Sequence, residues 1–576
     1  MSRWISLATM LAAGVVSASP AAASCGDTVS IPAIQGAGLR SPCEDKVVTT
    51  TGVVIGVDKK GFWIQDPTGD GRPETSDGIR VYLGEQPTAA VGQLVTVTGK
   101  VVEYKPKTER RRGKTPASCK VREDEPADHP VDRNATETQI TARTVTVGAQ
   151  AALPAPVTLP GDRAIPALAI DADPAAYSPD VDGFDFWESL EGMRVSLPGA
   201  VLVGPVKYGE GAVVPAGTRV TPPGLAVLTD RDQNPERIFV KLPKGLRPGT
   251  VFDGMEGVVS YRSLTWVGGV FLLDAVTKAP ATPPPATKAA RPPAGAPGLL
   301  TVASYNVHNL HAGDAKHSKS IAAQIVNELL APDILVLQEI QDDDGAEGGG
   351  VTSAAKTLSA LVQAIEEISS VRYEALDNPP AADRADGGQP CANIRTAYLY
   401  RGDRVELKGS GSRLGEGDPA FDGTRKSLPA RFATPDGSFA LDVIGVHLSS
   451  RSGSTPEWGQ QPAETGRGEE RQAQAKLIAE YASKQSVPVL VAGDFNAFWF
   501  EPPLREFTKT GFANLIETLP PEERWTYVYN QQAQALDHAV VSAGLAARAE
   551  LRILHLNAAQ AEAPSDHDPL HITIRY

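Results

Sequence analysis

The sequence predicts a multidomain protein: all-β modules fill the front half, and an α/β domain fills the back half, where two packed sheets between helical layers fit at least as well as one parallel sheet. Three observations carry this. At 576 residues the chain is too long for one domain. Residues 25 to 277 alternate short β-type runs with Gly, Pro and Asp turns and show no helical period. From Leu299 onward, strand-like runs alternate with helical ones, which implies sheets covered by helices. Between the halves lies KAPATPPPATKAARPPAGAPG, residues 278–298, dense in Pro and Ala without apolar periodicity and therefore read as an extended, semi-rigid spacer.

At the N-terminus, Arg3 precedes an apolar segment from Trp4 to Val16 and the small-residue run SASPAAAS, the pattern of a cleaved signal peptide over residues 1–24. The apolar segment is too short for a permanent membrane anchor. The expectation is a secreted protein, extracellular or periplasmic, with no membrane anchor and no obligate protein partner. Cys25, Cys43, Cys119 and Cys391 would then meet an oxidising space. Proximity favours Cys25 with Cys43, leaving the other two paired across domains or free. Acidic residues exceed basic ones by 69 to 55, a net charge of −14, which excludes a globally basic nucleic-acid coat, so an anionic substrate must be met locally.

Within residues 25–148 the runs VVTTTGVVIGV, GFWIQDP, IRVYL and LVTVTGKVVEY give five or so strands at the spacing of a small OB-like barrel. The loop DPTGDGRPETSDG, with Asp66, Asp70, Glu74 and Asp77, reads as a polar turn or a weak calcium site lacking EF-hand spacing. The basic stretch KPKTERRRGKTPASCKVR, residues 105–122, is either a solvated loop or an attractor of a polyanionic backbone. Trp63, Tyr82 and Tyr104 are stacking candidates or core aromatics. Over residues 149–277, GTVFDGMEGVVSY echoes GQLVTVTGKVVEY with one residue inserted, which predicts a second OB-like domain.

In the last region, residues 299–576, polar groups stand at strand ends. VPVLVAGDFNAF ends an apolar strand at Gly493, and Asp494 and Asn496 follow, either closing an Asx turn or holding a water and a phosphate. SYNVHNL offers Asn306, and ILVLQEI places Glu339 where an unpaired carboxylate is costly unless a cation relieves it. GVHLSS ends in His447, LDH supplies Asp537, and SDHDP supplies Asp566 and His567. Singly these read as turn formers or core histidines. Together they form hard oxygen and imidazole ligands without cysteine, a set suited to magnesium, manganese or calcium.

The ordered series SYNVHNL, LQEIQ, GVHLSS, GDFNAF, LDHAVVS and SDHDPL resembles the endonuclease/exonuclease/phosphatase superfamily, and GGQPCANIRTAYLYR with FDGTRKSLPARF is similar to secreted bacterial extracellular nucleases carrying OB-like domains. The resemblance implies a four-layer α/β sandwich of the DNase I-like type and a metal-dependent phosphodiesterase. It implies Glu339 as principal metal ligand with Asn306 and Asp566, Asp494 orienting or deprotonating water, Asn496 and His447 on the scissile phosphate, and His567 oriented by Asp537. The cofactor would be Mg2+ or Mn2+, with Ca2+ as a structural or second ion. Arg395, Arg425 and Lys426 are candidate phosphate clamps or surface cations. The expected substrate is DNA, with RNA as a further one. The alternatives are a phosphoesterase acting on a lipid or small ester, such as a sphingomyelinase-like enzyme, and a binding protein with a degenerate catalytic module.

Overall fold

Five strands, Val47–Val57, Gly61–Gln65, Gly78–Tyr82, Gln93–Tyr104 and Glu137–Gln150, close into a barrel. The third strand runs parallel to the fifth, and the fourth returns to the first. Val95, Val97 and Val101 alternate along their strand and point into the barrel core, as a period of two requires. The computed structural model describes residues 25–106, 136–168, 176–264, 268–277, 279–285, 291–346, 349–388, 392–411, 413–454 and 465–576. The leader segment, Cys119, Cys391 and all but the first two residues of the basic stretch lie outside the described residues. Cys25 and Cys43 form a disulfide. In the acidic loop, Asp66 accepts from the N–H groups of Thr68 and Gly69, and Asp70 from that of Arg72, so these carboxylates serve the turn itself.

The region expected as a second barrel is instead an open series of nine strands, ending in Val157–Thr158 on one side and Ala281–Thr282 on the other. The reason lies in the inserted residue of the apparent repeat. GQLVTVTGKVVEY is one continuous strand, whereas its counterpart breaks at Asp253–Gly254, where Gly254 is left-handed (φ 72). Val251–Phe252 then pairs with Ala200–Leu202, while Met255–Leu264 pairs with Arg194–Leu197 and Gly268–Asp274. Part of the Pro/Ala spacer also departs from expectation, because Ala281–Thr282 joins this sheet as an edge strand. Trp63 is 1% exposed and packs with Ile55 and Val258 between barrel and sheet, so it is a core aromatic and not a stacking platform.

The C-terminal region holds two six-stranded sheets packed face to face. The first runs Glu374–Leu376, Ile394–Tyr400, Ile334–Gln341, Leu299–Leu310, Leu570–Arg575, Ala549–Ile553. The second runs Glu406–Ser410, Leu428–Ala433, Ala440–His447, Val489–Asp494, Asp537–Ser542, Phe512–Asn514. Alternation assigns each side chain to a layer. Val336 faces the inter-sheet core, while Leu335 and Leu337 face helices Ala315–Asn327 and Ala355–Ile368. Leu490 and Ala492 face inward, while Val489 and Val491 meet helices Gly468–Ala482 and Pro502–Lys509. The result is the four-layer order of helices, sheet, sheet and helices.

Tyr398 ties the layers together. Its hydroxyl donates to the Leu428 carbonyl (2.6 Å) and accepts from the Gly445 N–H (2.7 Å) of the opposite sheet. A Cβ on Gly445 would lie 2.5 Å from Thr396 Cγ2, so glycine permits this approach. Among the described residues, no helix is long and apolar enough to cross a membrane.

Candidate active site

Three adjacent strands of the second sheet end at one level. His447 stands opposite Asp494, and Asp494 opposite Asp537, in the backbone register. Along their strands these residues share the side of Val443, Ala492 and Ala539, all of which face the space between the sheets. Regular alternation therefore delivers an imidazole and two carboxylates in a row. Gly493 lets the central strand lie close: a Cβ there would sit 2.0 Å from the Val446 carbonyl oxygen.

The first sheet delivers its groups differently. Its register shifts between Asn306 and Leu310 and between Leu337 and Ile340. At those bulges His308, Asn309 and Glu339 adopt left-handed backbone (φ 50, 57 and 61). Bulges re-aim side chains, and non-glycine residues in this region store strain. Asn306 Nδ2 donates to Glu339 Oε1 (3.0 Å) and to Asp494 Oδ2 (3.2 Å), so one amide joins the two sheets. The Asn309 N–H holds the other oxygen of Glu339 (2.9 Å).

Above this bridge, His567 Nδ1 lies 2.7 Å from Asp537 Oδ2, and its Nε2 lies 3.8 Å from Asp494 Oδ2. Burial opposes a charge on His567, but Asp537 and Asp494 carry it well above the ordinary histidine value. His447 Nε2 lies 3.5 Å from Asp494 Oδ2. Burial, with Arg425 and His567 adding to it, pushes His447 well below the ordinary value. Asp494 itself is pushed up to about 7, first by burial and then by the Asp537 and Glu339 charges, against the pull of His567 and the Asn496 N–H.

That concentration of buried negative charge fits a cation. Asp494, Asp537 and His567 present ligand atoms within 4.8 Å of one another. Glu339 adds a further hard oxygen donor beside Asp494, while the Asn306 amide turns its Nδ2 to both carboxylates and its Oδ1 to the His308 N–H (3.1 Å). His567 and Asp537 already satisfy each other, which leaves Glu339 and Asp494 as the carboxylates open to an ion or a proton.

The remaining expected residues fall into two groups. Asn496 sits at φ 47; its N–H donates to Asp494 Oδ1 (2.8 Å) and its Nδ2 to the Leu448 carbonyl (3.1 Å), an Asx turn that leaves one amide N–H over. Arg425 donates to the same carbonyl (2.5 Å); burial lowers its pKa, and the Asp494 and Glu339 charges act against that. Asp566 pairs with His308 Nδ1 (2.8 Å), outside the Asp494–Asp537–His567 group, and is held well below the usual carboxylate range. Arg395 and Lys426 turn inward. Arg395 is fully buried against Asp342 and donates to the Thr352 carbonyl (2.6 Å). Lys426 Nζ donates to the carbonyls of Thr424 (3.0 Å) and Ala385 (3.2 Å), with Asp386 3.4 Å away. Both cations are committed to internal acids, because a buried charge must be paired, so neither is free to clamp a phosphate.

Several neighbours escaped the sequence reading. His308 and Asn309 lie within SYNVHNL, but only the bulge reveals their place. Ser565 Oγ donates to the Asn306 carbonyl (2.7 Å) and accepts from the His567 N–H (3.0 Å), fixing one to the other. Thr526 and Tyr527, from a region without a recognisable pattern, support Asp537 and His567: the Thr526 hydroxyl accepts from the Asp537 N–H (3.2 Å), and the Tyr527 ring lies 4.7 Å from that of His567.

Residues 146–267 match a domain of unknown function (DUF8508), and residues 303–567 match the Endonuclease/Exonuclease/phosphatase family. No curated protein matches the chain. Among solved structures, humanized D. rerio TDP2 aligns at 17% identity over 48% of this chain and 100% of that one, with TM-score 0.33. The human Nocturnin catalytic domain with bound sulfate aligns at 19% identity over 50% and 95%, with TM-score 0.34. An endonuclease/exonuclease/phosphatase family protein from Leptotrichia buccalis C-1013-b aligns at 14% identity over 48% and 100%, with TM-score 0.35. Every candidate site residue lies within residues 303–567, the segment that matches the endonuclease/exonuclease/phosphatase family, whose members are metal-dependent phosphoesterases.

Proposed function

We propose that this protein is a secreted, divalent-metal-dependent nuclease that hydrolyses phosphodiester bonds in DNA, and in RNA as a further substrate, with little sequence preference. The single observation that carries this reading is the Asn306 amide joined to Glu339 and Asp494 beneath the His567–Asp537 pair. Glu339 and Asn306 would hold the ion, Mg2+ or Mn2+, with Ca2+ as a second. When bound, the ion supplies Lewis acidity and charge relief at the phosphate oxygens.

The chain's own residues do the rest. Asp494, with its carboxyl near 7, is matched to accept a proton from an attacking water at neutral pH. His567, kept cationic and oriented by Asp537, donates to a phosphate oxygen from Nε2. Neutral His447 and the spare N–H of Asn496 add fixed donors, and Arg425 adds positive potential behind them. We read the front barrel as an OB-like unit that assists substrate binding. The leader at residues 1–24 directs export in this reading, and the Cys25–Cys43 disulfide is consistent with it.

Incubating the full-length protein with plasmid DNA, RNA and a sphingomyelin analogue, with and without EDTA, tests this. The expected result is DNA cleavage that EDTA abolishes. Activity on the lipid alone would overturn the nuclease reading, and no hydrolysis of any phosphodiester would overturn the enzymatic one.

A further inference from the structure

The strands Tyr527–Tyr529 and Gln532–Gln534 form a hairpin that belongs to neither six-stranded sheet. Its inner side touches the site. The Thr526 hydroxyl accepts from the N–H groups of Leu536 and Asp537, both at 3.2 Å, and the Thr526 carbonyl accepts from the Asp568 N–H at 2.7 Å. Tyr527 pairs with the His567 backbone. The flanking Trp525 stacks on His555 at 3.6 Å, and His555 Nδ1 lies 3.1 Å from Asp568. The backbones on both sides of the Asp537–His567 pair thus rest on this one segment.

Its outer side is held by the nine-stranded module. The Ala533 N–H donates to the Ala226 carbonyl (2.8 Å), and the Leu228 N–H donates to the Ala533 carbonyl (2.9 Å). Arg237, 1% exposed, donates from Nη1 to the Asn530 carbonyl at the hairpin tip (2.6 Å). Gln532 Nε2 donates to the Gln233 carbonyl (2.7 Å). Leu225 buries itself against Trp525, Ala533 and Ala558. A lone two-stranded hairpin is marginal in water, so its shape depends on what it packs against. Here the partner on one side is the module and on the other is the site.

We propose that the nine-stranded module is a positioning unit of the active site: by clamping the hairpin from outside, it sets the placement of the Asp537–His567 pair, with Arg237 and Gln532 as positioning residues. This rests on the phosphodiesterase reading only for its kinetic readout. Both residues are buried, and their side chains donate to backbone carbonyls. A displacement of about 1 Å in a reacting group is enough to cost rate while leaving substrate affinity intact.

The test uses the full chain with Arg237→Ala, Arg237→Lys and Gln532→Ala, assayed with Mg2+ on bis(p-nitrophenyl) phosphate, a diester too small to engage the barrel. For Arg237→Ala the expected kcat loss is about ten- to hundred-fold with KM changed less than two-fold, and Arg237→Lys restores part of it. Gln532→Ala, which removes one hydrogen bond, gives a smaller loss and covers the case in which Arg237→Ala does not fold. Hydrogen exchange should quicken at the Asp537 and Asp568 amides while Val489–Asp494 stays protected. Faster exchange with unchanged kcat, or unchanged exchange at both amides, would overturn the proposal. If the wild-type protein hydrolyses no diester, the functional reading fails, and the exchange data still decide the positioning role.

Discussion

The two sheets of the C-terminal domain deliver side chains to the same site by opposite means. In the second sheet, His447, Asp494 and Asp537 arrive by unbroken alternation on three strands in register. In the first, Asn306 and Glu339 arrive through bulges and left-handed residues. The comparison teaches that the regular sheet supplies a fixed row of acid and base, while the irregular one spends backbone strain to swing a carboxylate across to meet it.

The largest expected effect breaks the regular row. Asp494→Asn keeps the shape and removes the proton acceptor, so kcat for diester hydrolysis should fall by about 10³-fold. Thermal unfolding should show the variant still folded. If Asn retains most of the rate, the row is not the base. Next, Gly493→Ala places a Cβ against the Val446 carbonyl, and urea denaturation should show a loss of about 3 kcal/mol. On the irregular sheet, Glu339→Gln keeps the bulge but removes the carboxylate charge that Glu339 offers to an ion. The Mg2+ midpoint of activity should rise at least ten-fold with little change in unfolding.

A smaller effect separates the sheets by pH. His571, in the first sheet, and His538, in the second, are both pushed down to about 4 by burial. Each is neutral when folded, whereas the unfolded chain takes up the proton near 6.5. The unfolded state therefore binds more protons between these values. Stability is intact above about 6.5 and falls by up to about 1.4 kcal/mol per pH unit per histidine on acidification toward 4. His538 is anchored to the Ala497 carbonyl (2.8 Å) and Asn514, but both ring nitrogens of His571 lack a partner among the described residues. His571→Leu should thus flatten the acid limb without cost at pH 7.5, while His538→Leu costs stability there too. Equal costs would show that the two imidazoles are held alike.

Legibility in the sequence follows the same division. Asp494, His447 and Asp537 could be placed because period-two patterning fixes which side a strand residue faces. The bulge at Glu339 left no mark in ILVLQEI, which reads as an ordinary apolar strand ending in a charge. Arg395 and Lys426 resemble phosphate clamps in sequence because a cation near a motif looks the same whether its partner is a substrate or an internal acid. Asp342 and Asp386, which pair with them, are distant in the chain. The nine-stranded module departs from the expected barrel for a local reason, since one inserted residue at Gly254 divides a strand in two. The hairpin's support of the site was invisible because it depends on contacts between residues some 300 positions apart.

Tyr398 carries a consequence for redesign. Because its hydroxyl is bonded to the backbone of the facing sheet, it behaves as a strut of fixed length. Attempts to spread the two sheets by enlarging core side chains would strain that strut first. Replacing loops beyond the strand ends, or shortening the strut itself, leaves the spacing of the sheets the freer variable.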